Sequence, residues 1–359
     1  MNHIPAFKEE NYMSSKKNFI STLVFDLISF TSPDGEVTKY TKTWKSADRV
    51  IKKSYLDGQT SKKNFFKKNL PKEIQSESNE LMRAKKAYRF IQQRFSWNED
   101  YWTRKQLKIK KIYKEKTGGV DAINLTLYNS LQAVNIKSYL LMLSTRKNGY
   151  PTKLYPVTSD FNYLVVKVLI DDKEYLLDAT NKNLPFGMLP ARCLNGEGRV
   201  LDFKKGGYWQ PLLPTKTTSK RTKVHLELTE DGFKGTIQIN RTGYFALSQR
   251  GEVNSKTEDA YLEKFESDHP NIEVESYSVK NKHAIEKRLE ETFQVLIEED
   301  IAEAGNLRIN PFFIDRTTEN PFKLDRRDYP VDFAFARKMT YLLSLKIPEG
   351  YDITKLPKN

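Results

Sequence analysis

The segment Thr117-Gly118-Gly119-Val120-Asp121-Ala122-Ile123-Asn124, with the run that follows it to Leu176-Leu177-Asp178-Ala179-Thr180, decides the fold. After the glycine pair, Val120, Ile123, Leu127, Leu131 and Val134 recur at steps of three and four, which is one face of a helix buried on a core. Tyr139–Ser144 is then a nearly continuous apolar run of strand length. Phe161–Ile170 and Lys173–Ala179 read as two further strands joined at Asp171-Asp172, a tight hairpin. The expectation is an α+β core over residues 71–210, in which a helix N-terminus faces a small antiparallel sheet. Three positions stand out: the helix start, the second strand and the end of the third.

This arrangement resembles the transglutaminase-like core of the papain superfamily over residues 80–200. The resemblance rests on the segments Phe161-Asn162-Tyr163 and Leu177-Asp178-Ala179-Thr180 and on the glycine-led helix start. In that family a cysteine at the helix start is the nucleophile, a histidine on the second strand is the base, and an aspartate at the end of the third orients the histidine. Carried over residue by residue, the nucleophile position is Val120, the base position is Tyr163, and Asp178 alone is retained. Valine has no nucleophilic atom, and a tyrosine with a reference pKa of about 10 is a poor general base at neutral pH. The histidines are His3, His225, His269 and His283, all outside the core run, and the single cysteine is Cys193. Standard Cys-His chemistry is therefore excluded at this site.

The leading expectation is a degenerate, non-catalytic module that binds an extended peptide or glycan or acts as a scaffold. Its polar contacts would be Asp121, Asn124, Asn162 and Asp178. The aromatic cluster Trp97, Tyr101 and Trp102 either stacks on a ligand or anchors its loop to the core. The alternative is an enzyme with non-standard residues centred on Asp178, paired with Asp121 or with an activated Tyr163. An Asp178 open to solvent would favour that alternative, and a packed one would oppose it. Thr117-Gly118-Gly119 at a helix start can hold an anion through free N–H groups, but it lacks a phosphate-loop lysine and reads as a sharp turn and cap. Cys193 has no neighbouring histidine in the sequence and reads as a buried or incidental thiol.

With 359 residues, 38% hydrophobic and 12% aromatic, the chain has ample material for two or three folded domains. One cysteine rules out an intrachain disulfide framework and a cysteine-based metal cluster, and no cofactor or metal is expected. No apolar run is long enough to cross a membrane as a helix, and the first 30 residues lack a signal-peptide pattern. The net charge of +14 is uneven: residues 51–116 hold 19 Lys and Arg against 7 Asp and Glu, whereas from residue 118 onward the counts are 34 and 33. That segment is either a set of solvated helix faces or a polyanion-binding patch, the third functional reading. It contains no recognised nucleic-acid motif.

Around the core, Ile4-Pro5-Ala6-Phe7 belongs to an extended arm. Phe19–Phe30 and Val37–Trp44 read as a hairpin, Ser46 as the N-cap of a helix through Tyr55, and Glu80–Phe95 as a helix. Residues 103–116 read as a basic helix. A polar linker, Leu212 to Arg221, leads to a domain over 222–359. There a hairpin of Val224, Leu226 and Leu228 against Phe233, Ile237 and Ile239 turns at Asp231-Gly232. A helical insertion and the strands Ile272–Val279, Glu291–Ile297 and Lys338–Ile347 complete a β-sandwich-like module. Arg327 to Phe333 and Ile347-Pro348-Glu349-Gly350-Tyr351 resemble the β-rich domain that follows such cores in large Gram-negative envelope proteins. The resemblance implies a periplasmic or envelope location, envelope protein partners, residues 1–70 as the end of a preceding β-rich domain, and a last domain cut at Leu356-Pro357-Lys358-Asn359.

Overall fold

A computed structural model of the protein describes residues 7–23, 25, 27–39, 43–102, 107–229, 232–298 and 308–356. Residues 4–6 of the arm, 103–106 of the basic helix, Asp231 of the turn and the last three residues lie outside the described residues. The fold is mixed α and β, with two five-stranded and two two-stranded sheets among the described residues. It divides into two compact units, Met1–Thr215 with Leu324–Phe335, and Lys216–Lys323 with Ala336–Asn359.

The first unit begins with a small hairpin, β1 (Ser29–Thr31) and β2 (Val37–Lys39). Of the expected strand Phe19–Phe30, the described residues form one only at its end. Its alternating apolar side chains find no core, and Phe25 and Leu23 are 92% and 73% exposed. Trp44 does not end a strand but opens helix α1 (Trp44–Val50), whose N-cap is Thr43 rather than Ser46. Ser46 occupies the third helical position and completes a capping box, accepting the Thr43 backbone N–H while Thr43 accepts its own. Helices α2 (Lys63–Asn69), α3 (Lys72–Gln75) and α4 (Glu80–Arg94) follow. Strand β3 (Ser96–Trp97) pairs in parallel with β4 (Thr117–Gly118) across helix α5 (Ile109–Glu115).

Helix α6 (Val120–Ala133) is buried almost all round. Ala122, Ile123, Leu125, Leu127 and Leu131 share one core with Ala84, Ala87 and Ile91 of α4, and with Leu140, Leu164, Val166 and Val168 of the sheet. Ile51, Leu56, Phe66 and Leu70 belong to the same core, so residues before 71 are built into this unit. The sheet is antiparallel throughout, ordered β7-β6-β5-β8-β9, from β5 (Ser138–Leu143), β6 (Tyr163–Ile170), β7 (Lys173–Leu177), β8 (Glu197–Leu201) and β9 (Tyr208–Pro211). Two of its five strands lie beyond the three that periodicity predicts. The β6–β7 turn puts both Asp171 and Asp172 at positive φ, as a two-residue type I′ hairpin requires. The segment Leu324–Phe335 returns to this unit. There Arg146 binds the Asp332 carboxylate and backbone carbonyl at 2.9 and 3.0 Å, and Tyr329 packs on Phe7 and Phe19.

The second unit is one five-stranded sheet, ordered β12-β13-β11-β10-β14. Its members are β10 (Thr218–Thr229), β11 (Gly232–Arg241), β12 (Ile272–Lys280), β13 (Leu289–Glu298) and β14 (Arg337–Lys346), with helices α7 (Gly243–Ser255) and α8 (Glu258–Asp268) inserted. Only β10 and β14 run parallel. Alternate residues of β10 and β13 are buried, Val224, Leu226 and Leu228 with Phe293, Val295 and Ile297. They pack against Val253, Tyr261, Phe265, Phe313 and Ile314. The expected β-sandwich is corrected here: among the described residues the apolar face is covered by two helices and the segment around 309–314, not by a second sheet. Four backbone carbonyls of the 281–287 region, those of Asn281, Ala284, Ile285 and Lys287, are gathered by Arg250, which is 1% exposed.

Candidate functional site

The site forms where α6 begins and where β6 and β7 meet. Gly119 precedes α6 in extended conformation, and Val120 N–H donates to the Asp100 carbonyl at 3.0 Å. A Cβ on Gly119 would lie 3.2 Å from that carbonyl oxygen, so the glycine lets the 97–100 loop close on the helix. Val120 is fully buried. One helical turn on, Asn124 faces the same way. Its amide donates to the Leu164 carbonyl at 2.8 Å and to Asp178 Oδ1 at 3.2 Å, and accepts Ala179 N–H at 2.9 Å.

Asp178 is 0% exposed. Besides Asn124, its carboxylate accepts Thr180 N–H at 2.8 Å and the Tyr163 phenol at 2.6 Å. Arg192 Nη2 donates in turn to the Tyr163 oxygen at 2.8 Å. The phenol therefore sits between a carboxylate and a guanidinium, donating to one and accepting from the other. Tyr88 braces the segment from α4, its hydroxyl reaching the carbonyls of Asp178 and Leu184, each at 3.0 Å. The Arg192 guanidinium lies 4.7 Å from the Trp97 ring centre and 5.8 Å from that of Tyr101, which stacks on Trp97 and meets Tyr163 edge-on.

Burial and, second to it, the Asp178 charge push the Tyr163 phenol well above its usual value, against the opposing effect of Arg192. Cys193, the only cysteine, also lies in this field. Burial and the Asp178 charge push its thiol well up, although Arg192 and a Tyr163 hydrogen bond pull the other way. A thiol so held is neither a thiolate nor reachable. Ellman's reagent should find no reactive thiol in the folded protein and one per chain in denaturant. Rapid labelling of the native form would contradict this.

The phenol also sets an alkaline limit on stability. A pKa raised in the folded state means that the native hydrogen bonds contribute fully below the unfolded value of about 10. Above it the unfolded chain releases the proton first, and stability falls as pH rises toward the folded value. Tyr261 and Tyr277, raised by burial and by Glu291, add to the same trend in the second unit. Urea unfolding should give constant stability between pH 8 and about pH 9.5 and a decline above about pH 10, shallower in Tyr163→Phe. An identical decline in that variant would contradict the assignment.

Of the residues singled out in the sequence, Tyr163, Asp178, Asn124, Trp97 and Tyr101 come together. Trp102 does not; it packs edge-on against Tyr55, 6.2 Å between ring centres. Asp121 is buried at the first turn of α6 and accepts Ala122 N–H at 2.7 Å. Asn162 binds Thr145 at both ends of its amide, at 2.8 and 2.9 Å. Asp121, Asn124 and Asp178 are buried, and the hydrogen bonds of their side chains named above are made within the protein. Arg192, Thr180 and Tyr88 were not singled out. The adjacency of Arg192 to the lone Cys193 was the available signal, but nothing local indicates that the exit loop folds back over β6. The basic segment 51–116 spreads over several helices, with Lys86 and Lys111 paired to Glu77 and Glu115. No group of three or more His, Cys, Asp or Glu able to hold a metal occurs among the described residues. No helix among them is long and apolar enough to cross a membrane.

A family model described as a domain of unknown function with a solved structure (DUF3858) matches residues 305–359, a segment that includes β14. No curated protein matches the chain. Among solved structures, one described as a "putative protease" from Parabacteroides distasonis is similar at 14% identity and a TM-score of 0.39, over 78% of this chain and 58% of that one. A Rad4–Rad23 complex bound to a 6-4 photoproduct UV lesion is similar at 10% identity and a TM-score of 0.27, over 47% of this chain and 49% of that one. The chain thus spans less than two thirds of the length of either, and likeness at this level assigns no activity.

Proposed function

We propose that the first unit is a non-catalytic transglutaminase-like module of the cell envelope, binding an extended peptide or glycan along the rim made by Trp97 and Tyr101 beside Arg192. One observation carries the reading: the position of the family's base holds a phenol fixed between Asp178 and Arg192, 2.6 and 2.8 Å away. A group whose pKa is raised in this way does not accept a proton at neutral pH. Val120 supplies no nucleophile, and the burial of Asp178 speaks against the alternative of an enzyme centred on that carboxylate. What stays partly exposed is aromatic and cationic, suited to stacking on a sugar face or a peptide side chain.

The test is calorimetric titration of the protein with peptidoglycan fragments, neutral glycans and short peptides. A ligand should bind, and Trp97→Ala and Tyr101→Ala should each weaken it about tenfold, in line with the loss of one aromatic contact. Binding unchanged in both variants, or no binding across the panel, would overturn the reading.

A further inference from the structure

Away from the Tyr163 network, the loop after β8 and helix α1 line an open cavity of about 480 Å³. Its floor is a buried ion pair. Arg199 Nε and Nη2 donate to the two Asp48 oxygens at 2.8 and 2.7 Å, and the guanidinium lies over the Trp44 ring at 4.6 Å. The loop reaches this floor through Gly206 and Gly207. Gly206 has φ +101°, and a Cβ on Gly207 would come within 2.8 Å of both Asp48 and Arg199. Only glycine lets the loop fold down so closely.

Lys45 and Arg49 line the cavity from α1, and Lys204 and Lys205 from the loop. A fifth cation, Lys52, sits 4.8 Å from the ring centre of Phe203, another lining residue. None of the five has an ion-pair partner among the described residues. Against these cations the cavity has two carboxylates, of which Asp48 is paired with Arg199 and Asp202 lies in the field of Lys204 and Lys205. Asp48 is held by Arg199 and by Gly207 N–H at 3.2 Å, and Asp202 accepts the backbone N–H groups of Lys204 and Lys205 at 2.9 and 3.0 Å. Asp202 in effect turns the loop so that both lysine side chains leave it at the cavity.

We propose that this cavity is an anion site for a small molecule carrying two or more phosphate groups. Lysine ammonium groups are compact, strongly hydrated charges that suit phosphate oxygens, and several converging on one concave site favour a multiply charged ligand. The volume falls within the range of small-ligand pockets. The concentration of charge in a cavity, over the buried Arg199–Asp48 pair, distinguishes it from the solvated lysine faces of α2 to α5.

The experiment is calorimetric titration of the whole chain with inorganic pyrophosphate at about 50 mM salt, repeated at about 200 mM. Pyrophosphate should bind more tightly than orthophosphate, and more weakly at the higher salt. The double variant Lys204→Gln/Lys205→Gln, which alters two exposed side chains and keeps the backbone N–H bonds to Asp202, should lose at least tenfold in affinity. A charge-matched double variant on α5, Lys111→Gln/Lys114→Gln, should bind as the parent does. Absence of pyrophosphate binding, or an equal loss in both double variants, would overturn the proposal, the second by showing that net charge alone attracts the ligand. Double-stranded DNA binding that Lys204→Gln/Lys205→Gln leaves intact, with no pyrophosphate binding, would also overturn it.

Discussion

Asp178→Ala should lower the stability of the first unit by about 3–5 kcal/mol, the cost of removing one partner from a buried charged network. For a unit of this size that is a fall of about 10 °C in melting temperature. The carboxylate is 0% exposed and accepts from Tyr163, Asn124 and the Thr180 backbone. Truncation leaves those donors unpaired and leaves the Arg192 cation without the carboxylate that balances it. Tyr163→Phe should cost less, about 1–2 kcal/mol, because Asp178 keeps its two N–H donors. Thermal unfolding followed by circular dichroism checks both. A loss below about 1 kcal/mol in Asp178→Ala would mean that the network is not closed as described.

Arg199→Ala should destabilise the same unit by a similar amount, again about 3–5 kcal/mol. Arg199 is 3% exposed, and its two parallel N–H bonds hold an Asp48 carboxylate that has one other donor, Gly207 N–H. Truncation strands that charge and opens the space over Trp44. Arg199→Lys should recover only part of the loss, because an ammonium makes no bidentate pair. The double variant Asp48→Leu/Arg199→Met should be far closer to the parent than either single change, since replacing both charges removes the penalty of an unpaired one. Equal destabilisation in the double variant would show that shape, not charge, governs this site. The alkaline behaviour of Tyr163 should be unchanged in these variants, which separates this pair from the Tyr163 network.

Local pattern announced the parts of the fold in which one face of one element meets one core. The three-and-four spacing from Val120 to Val134 gave α6, and Asp171-Asp172 gave the β6–β7 hairpin, because both signals lie within a few residues. Phe19–Phe30 alternates as a strand should, yet among the described residues only Ser29–Thr31 forms one. Alternation describes a surface able to pack, and whether a partner exists is decided elsewhere in the chain. The return of Leu324–Phe335 to the first unit was not visible, because Arg146–Asp332 joins residues 186 apart. The candidate site divides along the same line. Tyr163 is visible as a strand position and Asp178 as the residue just past the next strand, and their hydrogen bond follows from the hairpin. Arg192 enters from a loop whose course no periodicity records. The buried amide of Asn124 reads, in sequence, much like an exposed one.

We propose that this scaffold carries out no acyl-transfer or hydrolytic chemistry at the Tyr163–Asp178 network. The most direct measurement is turnover at neutral pH on glutamine-donor peptides, simple amides and unmodified peptides, with ammonia release and peptide cleavage followed together. Rates with the protein should equal those of buffer alone. Turnover above that level that disappears in Asp178→Asn, with the variant still folded by circular dichroism, would contradict it.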